Sequence, residues 1–377
     1  MLVEQYINSL SYVQMLVIIV LAFVLVVQLI HYLFVYLRPS IHKNLQFDNS
    51  QKPVTVIVCA RNESENLRKF LPKVLEQDYQ NFEVIVVNDC SEDDSLLVLG
   101  ELEQKYKHLR HTNIEIDRKF SHGKKLAMTI GVKSAKNEHI VLIDADCYPK
   151  TDKWLSSIMS AYGEQTSIVL GYGGYETKKG FLNKIIRYDT ITIAMQYMGW
   201  AKAGHPYMGV GRNMSYTKTA FFEKNGYQSH YYLMSGDDDL FVNERANKHN
   251  TVIVTSKDSQ TQSLACTTFS QWVKQKKRHL STWTHYRFGT KLCLSYELLS
   301  RLLFYVAIMV AVYPFELYFE AAIAYLLRLV IQLVVYKKNM NKFGEKGFLF
   351  FIPIFDIVLP IFQAAFNILN LRDYRCQ

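Results

Sequence analysis

The sequence predicts an α/β fold: a mostly parallel sheet covered by helices on both faces, set between apolar helices at the two ends of the chain. Three observations predict it. Short β-branched runs alternate with stretches of helical spacing between residues 54 and 146. No charged residue lies between Glu4 and Arg38. The C-terminal quarter, from Arg301 onward, is again strongly apolar. The chain has 377 residues, which suits two or three structural units at roughly 150 residues each. With 49% hydrophobic and 20% charged residues it is not a disordered chain. The mean hydropathy of −0.02 is an average over a polar middle and apolar ends.

The elements follow in order. Val13–Leu37 is uncharged and almost wholly apolar. At 1.5 Å per residue, about 20 such residues cross a ~30 Å hydrocarbon layer. The run is too long for a signal peptide and lacks a basic n-region and a small-residue cleavage site, so it reads as a membrane span. Val54–Cys59 is a first strand, Glu65–Glu76 a helix, Phe82–Asn88 a second strand and Ser95–Tyr106 a second helix. Asn113–Ile116 is a brief third strand, Lys124–Lys136 a helix and His139–Asp144 a further strand. Continuous apolar strands alternating with helices indicate a parallel sheet buried on both faces, whose ligands bind at the carboxyl ends of the strands. Phe181–Trp200 mixes Ile, Met, Tyr and Trp with few charges. It fits either an interfacial helix or a helix packed on the sheet. Ser270–Arg278, basic and carrying Trp272, reads as interfacial. Three further membrane segments follow: Arg301–Glu316, Phe319–Tyr336 and Phe348–Leu371. The last contains Pro353, Asp356 and Pro360, and reads as kinked, re-entrant or interfacial, because these residues need local partners in hydrocarbon.

Charge fixes the expected orientation. Arg38, Lys43 and Lys52 follow the first span. Lys274, Lys276, Lys277, Arg278, Arg287 and Lys291 precede the second, and Lys337, Lys338, Lys342 and Lys346 follow the third. Each cluster places the middle of the chain in the cytoplasm and the N-terminus and the 314–320 hairpin outside. The net charge of +9 is therefore mainly topology, with a phosphate-facing share from Lys124, Arg212 and Arg278; no nucleic-acid motif accompanies it. Six cysteines without CxxC or zinc spacing read as reduced, cytosolic residues.

The polar motifs sit at strand ends. Strand one ends in Ala60-Arg61-Asn62-Glu63, strand two in Asn88-Asp89-Cys90-Ser91-Glu92-Asp93, and the 139–144 strand in Asp144-Ala145-Asp146. An acid at such an end accepts hydrogen bonds from a base or ribose, and two carboxylates as Asp-x-Asp can share a divalent cation with a diphosphate. Any one of Asp89, Ser91 and Asp93 also fits a helix N-cap; three motifs in order on one sheet edge point to a nucleotide site.

Val54–Glu63, Val86–Asp93, Gly123–Ala135 and Val141–Asp146 resemble the donor-binding half of the inverting family 2 glycosyltransferases. The resemblance implies a GT-A fold, Rossmann-like with a mostly parallel sheet, and a nucleotide-diphospho-sugar donor, here a UDP-sugar. It implies that Asp89 contacts the base, that Arg61 and Glu63 line the nucleoside pocket, and that Lys124 lies near the uracil or phosphates. Asp144 and Asp146 would serve the nucleotide and a metal, Mg2+ or Mn2+.

In the second half, His205–Tyr216 carries Gly209, Gly211, Arg212 and Asn213, which look like the family's G-x-G-x-N segment beneath the transferred sugar. Ser235–Leu240 carries three consecutive acids before an apolar run, too many to be only caps. It resembles the E-D-x-x-L motif of the general base, making Asp237 the base and Asp238 the alternative, with Gly236 in place of the family's Glu. Gln275–His279 resembles the Q-x-x-R-W motif, with His279 in place of the Trp and Trp283 four residues on. By this resemblance Gly211, Arg212, Asn213, Gln275 and Arg278 bind acceptor and diphosphate.

The chain thus divides into an anchor (1–37), a linker (38–50), a cytoplasmic catalytic module (51–290, nucleotide-sugar half to 150) and a membrane region (291–377) with two to three transmembrane helices. The expected reaction is transfer of a sugar to a lipid-linked or glycan acceptor with inversion, giving a β-linkage. A processive polysaccharide synthase is the alternative, and a non-enzymatic membrane scaffold a remote one. A nucleotidyltransferase would need a glycine-rich loop after strand one, and residues 59–65 contain no glycine.

Overall fold

The computed structural model describes residues 10–44, 46–49, 52–115 and 123–375, with backbone alone at 363 and 365–375. Glu4 and Ile116, used above, lie outside the described residues. The strands are β1 (Val54–Ala60), β2 (Phe82–Asp89), β3 (Leu109–Ile114), β4 (His139–Asp144), β5 (Cys147–Pro149), β6 (Ile168–Leu170), β7 (Gly173–Tyr175), β8 (Met214–Thr217), β9 (Thr251–Ile253) and β10 (Thr261–Ser263). The main sheet runs β3-β2-β1-β4-β8-β6-β9, and a second sheet runs β5-β10-β7. β1 to β4 are mutually parallel where they pair, and β8 is antiparallel to both β4 and β6.

The helices in the described residues are α1 (Tyr12–His31), continued by a π-turn at Tyr32–Tyr36, then α2 (Arg38–Ile41), α3 (Ser64–Leu75), α4 (Ser95–Lys105), α5 (Lys124–Ser134), α6 (Trp154–Met159) and α7 (Phe181–Lys202). They continue with α8 (Lys218–Phe222), α9 (Asp239–Arg245), α10 (Phe269–Leu280), α11 (Phe288–Val312), α12 (Tyr318–Phe343) and α13 (Ile352–Arg375).

Alternation along the strands divides the core. Val54, Val56 and Val58 of β1 face Leu67, Leu71 and Trp154 of α3 and α6. Ile57 faces the opposite layer, with Ala127 and Met128 of α5 and Ile185, Ile191 and Met195 of α7. Helix α7 is buried over most of its circumference, so of its two possible placements the packed one holds. Gly199 lets it meet the π-turn backbone to backbone: a Cβ there would strike the Val35 carbonyl oxygen. Burial of the ion pair Lys276–Asp189 ties α10 to the same helix.

Among the described residues three helical stretches are long and apolar enough to cross a membrane: Tyr12–Ile41, Phe288–Val312 and Tyr318–Phe343; Leu349–Phe362 is a shorter apolar helix. The second begins well before Arg301, where the sequence placed its start. Arg301 does not end the apolar face, because Glu297, one turn earlier, accepts from its Nε at 3.0 Å and neutralises it. Asp356 of α13 finds the partners that hydrocarbon demands: Arg328 of α12 at 2.9 Å and the Tyr305 hydroxyl of α11 at 2.6 Å. Gln28 of α1 accepts from Arg328 at 3.0 Å and closes the bundle. Past α12, Glu345 accepts from Arg187 Nε at 2.7 Å and Tyr172 Oη at 2.9 Å, locking the end of this apolar helix onto the sheet.

Candidate active site

Strand register gathers the motifs. Cys59 is level with Asp144 and Ala60 with Asn88, so the ends of β1, β2 and β4 share one edge. The first two loops are laced together. Asn62, at φ 56°, donates its N–H to Ser91 Oγ at 2.8 Å and accepts the Glu92 N–H at 2.8 Å. Asp93 accepts the N–H of Ser64 at 2.9 Å and of Ser95 at 3.0 Å, so one carboxylate caps both α3 and α4. For Asp93 the cap reading is therefore the right one. Asp89 is buried at the end of β2, whereas Arg61 is exposed. Burial raises the Glu63 carboxyl, against a 2.5 Å bond from Asn66, and the nearby charges of Asp146 and Asp144 add to the rise. Arg61, Glu63 and Asp89 do not line the main cavity described below.

Asp144, Asp146 and Cys147 bring potential ligand atoms within 4.8 Å of one another. Burial raises Asp146, and the Asp144 charge raises it further. Two carboxylates this close together form a place for a cation, and their hard oxygens suit Mg2+ or Mn2+. Burial keeps the Cys147 thiol protonated, and it donates to Asp146 Oδ1 at 3.1 Å.

Lys124, at the start of α5, joins this pair to the acid run. Its Nζ lies 2.8 Å from Asp144 Oδ1 and 2.9 Å from Asp237 Oδ2. Burial alone would raise Asp237, but the Lys124 ammonium overrides it and holds the carboxyl below its ordinary range. Asp238 differs. It accepts the N–H of Gly211 and of Asp239, both at 2.8 Å, as the N-cap of α9. Burial, with Asp237 and Asp239 beside it, pushes it up to about 7. Asp239 is clamped, accepting from Thr282 at 2.5 Å and Tyr286 at 2.7 Å. The three acids thus separate into one facing Lys124, one capping and one clamping. Gly236 stands where the family has Glu because its φ is 99°, and a Cβ would lie 2.6 Å from Leu240 Cδ1.

Sequence reasoning missed Lys125, whose buried Nζ donates to the carbonyls of His230, Leu233 and Ser235 at 2.5, 2.9 and 2.6 Å and so shapes the loop before Asp237. Its one signal was a second lysine beside Lys124. Tyr175 was missed too. Its hydroxyl accepts from Arg212 at 2.8 Å and from Gln275 at 3.3 Å, joining two motifs separated in sequence.

A cavity of about 460 Å³ opens from this edge. Lys124, Asp144, Asp146, Gly211, Arg212, Asp237, Asp238, Gln275 and Arg278 all line it, as do His279 and Trp283. Asn213 is a correction to the grouping made from sequence. It is fully buried behind the wall, accepting from Trp154 at 3.0 Å and donating to the carbonyls of Tyr172 and Ser259 at 2.8 Å each, so its polar atoms serve the scaffold. His279 fills the position of the family's Trp as an exposed ring on the cavity wall beside Arg278.

Fold and strand-end acids together have the GT-A-like arrangement, a mostly parallel mixed sheet with its acid motifs along one edge. Residues 55–225 match the model of glycosyl transferase family 2, which makes this stretch a domain of that family. The chain resembles an uncharacterized glycosyltransferase of Haemophilus influenzae, 30% identical over 32% of this chain and 36% of that one. It also resembles a poly-beta-1,6-N-acetyl-D-glucosamine synthase of Staphylococcus epidermidis, 29% identical over 25% of this chain and 21% of that one. The matches thus span about a third or less of these relatives' lengths. The fold is shared by a mannosyltransferase of Pyrobaculum calidifontis solved with GDP-Man and Mn2+, at a TM-score of 0.60 and 17% identity over 96% of this chain and 99% of that one.

Proposed function

We propose that the chain is a metal-dependent, inverting transferase of the plasma membrane, with its catalytic module in the cytoplasm. It would move a sugar from a nucleotide-diphospho-sugar, a UDP-sugar, to a lipid-linked or glycan acceptor of the cell envelope and form a β-linkage. The observation that carries this reading is the bridge from Asp144 through Lys124 to Asp237, which sets an ionised carboxylate beside the donor edge.

Arg61, Glu63 and Asp89 hold the nucleoside at the outer part of the strand edge. Asp144 and Asp146 would hold the divalent cation, which would supply positive charge against the departing diphosphate. Arg212, Gln275 and Arg278 face the same phosphates and the acceptor across the cavity. Asp237 takes the proton from the acceptor hydroxyl as that oxygen attacks the anomeric carbon from the side opposite the nucleotide. Both Asp238 oxygens already accept backbone N–H groups, which favours Asp237 as base and makes Asp238 the support of Gly211.

The test is purified Asp237→Asn. Transfer falls by about 10²–10⁴-fold, the range for a lost general base, while UDP binding is retained. Wild-type turnover by both Asp237→Asn and Asp238→Asn would refute the assignment. Labelled UDP-sugars with membrane lipids distinguish the outcomes: one added sugar supports single transfer, and a ladder of lengths supports the processive reading.

A further inference from the structure

The cavity has two chemically different ends. At the sheet edge it presents Lys124, Arg212 and Arg278, donors suited to a diphosphate. At the other end its lining comes from the membrane helices: Tyr36 of the π-turn, and Glu297 and Arg301 of α11. There the charges are already balanced. Glu297 accepts from Arg301 at 3.0 and 2.5 Å, Arg301 Nη1 lies 3.5 Å from Asp356, and Asp356 accepts from Arg328 at 2.9 Å. Two guanidinium groups and two carboxylates close on one another, leaving no surplus cation for a phosphate.

What this end does leave over is neutral hydrogen-bonding capacity. Tyr36 is 1% exposed, and among the described residues its hydroxyl has no hydrogen-bond partner. His31, with its ring centroid 4.4 Å from that of Tyr36, is also 1% exposed and carries an unpartnered Nε2. The Trp200 ring, 6.3 Å from His31, holds a third unpartnered buried atom, Nε1. Buried polar atoms are nearly always paired, and each orphan costs about 1–3 kcal/mol. Three in one aromatic cluster, one of them on the cavity wall, mark a place whose partners come from outside the chain.

We propose that this inner end is the acceptor subsite and that it takes a neutral, hydroxyl-bearing sugar rather than a phosphate head. The proposal rests on the transferase reading above. Tyr36 and Glu297, both on the cavity wall, bond sugar hydroxyls. At roughly 30 Å³ per water, the cavity has room well beyond a few bridging waters. Tyr36, Glu297 and Arg301 then act as specificity residues, while the proton transfer stays with Asp237.

The experiment uses the full chain in lipid nanodiscs with two radiolabelled probes on the same alkyl chain, octyl β-D-glucopyranoside and octyl phosphate, each below its micelle concentration. Binding to empty nanodiscs is subtracted. The glucoside is expected to bind saturably, and Tyr36→Phe, which keeps the ring, to weaken it tenfold or more; Glu297→Gln is expected to do the same. Melting temperatures certify the fold of each variant, and if Glu297→Gln does not fold, Tyr36→Phe decides alone. Tighter binding of octyl phosphate, no saturable binding of the glucoside, or unchanged binding by Tyr36→Phe would each overturn the subsite. UDP binding with Mn2+ by the wild-type sample reports separately: its loss sinks the transferase reading, whereas UDP binding without glucoside binding sinks only the subsite.

Discussion

Replacing Glu345 by Gln removes one charge from a pair that has no access to water. Glu345 is 5% exposed and Arg187 2%. The carboxylate accepts from Arg187 Nε at 2.7 Å and from Tyr172 Oη at 2.9 Å, and lies 2.5 Å from Arg187 Nη2. Breaking such a pair leaves an uncompensated buried guanidinium and costs about 3–5 kcal/mol. The Gln amide oxygen can still accept one bond, so the lower end applies; Glu345→Ala, which also strands the Tyr172 hydroxyl, falls at the upper end. For a module of 150–250 residues each kcal/mol lowers the melting temperature by about 2–4 °C, so Glu345→Gln should melt roughly 6–12 °C lower. Replacing both partners by apolar residues, Arg187→Met with Glu345→Leu, should recover most of the loss, because no charge is then left buried. The assay is thermal unfolding of the purified chain in detergent. A Glu345→Gln melting temperature within 2 °C of wild type, or a double variant no better than the single one, would refute the reasoning.

The remaining predictions concern the site. A carboxyl whose folded pKa is raised from 3.8 to about 7, as for Asp238, withdraws stability as pH rises through that window, up to about 4 kcal/mol at about 1.36 kcal/mol per decade. The melting temperature of Asp238→Asn should therefore gain on wild type between pH 5 and 8, and a constant or narrowing difference contradicts this. Gly236→Ala forces a side chain into φ 99° and against Leu240, for a loss of about 1–3 kcal/mol visible as a lower melting temperature. Chelation should weaken UDP binding, with Mg2+ or Mn2+ restoring it, and Asp146→Asn should abolish the metal response; equal UDP affinity with and without metal argues against the cation at Asp144 and Asp146.

The donor half was legible because its signals are local. A β-branched run ending in a polar turn places its own acids at a strand end, and β1, β2 and β4 fall within a residue or two of where their runs predict them. The acid run was legible as a group but not individually. Asp237, Asp238 and Asp239 have the same chemistry in sequence, and only their partners, Lys124, Gly211 and Thr282, distinguish them. Asn213 looked like a ligand contact because a motif records proximity to a site, not the direction of a side chain. The inner end of the cavity was not legible at all. Tyr36 and Glu297 belong to different helices far apart in the chain, and each alone resembles an ordinary residue of a membrane segment.

Asp239 and Arg187 bear on how such an enzyme can be handled in water. Both are catalytic-module residues whose buried charges are met by groups from beyond it or from its last few residues: Asp239 by Thr282 and Tyr286, Arg187 by Glu345. Severing the chain ahead of the second span would strip Arg187 of its carboxylate while leaving the sheet intact, giving a fragment prone to aggregate rather than a soluble enzyme. A water-soluble form is better sought by keeping all the helices and exchanging their outward-facing side chains for polar ones, beginning with Ile19, Phe23, Leu299 and Met309, each more than half exposed.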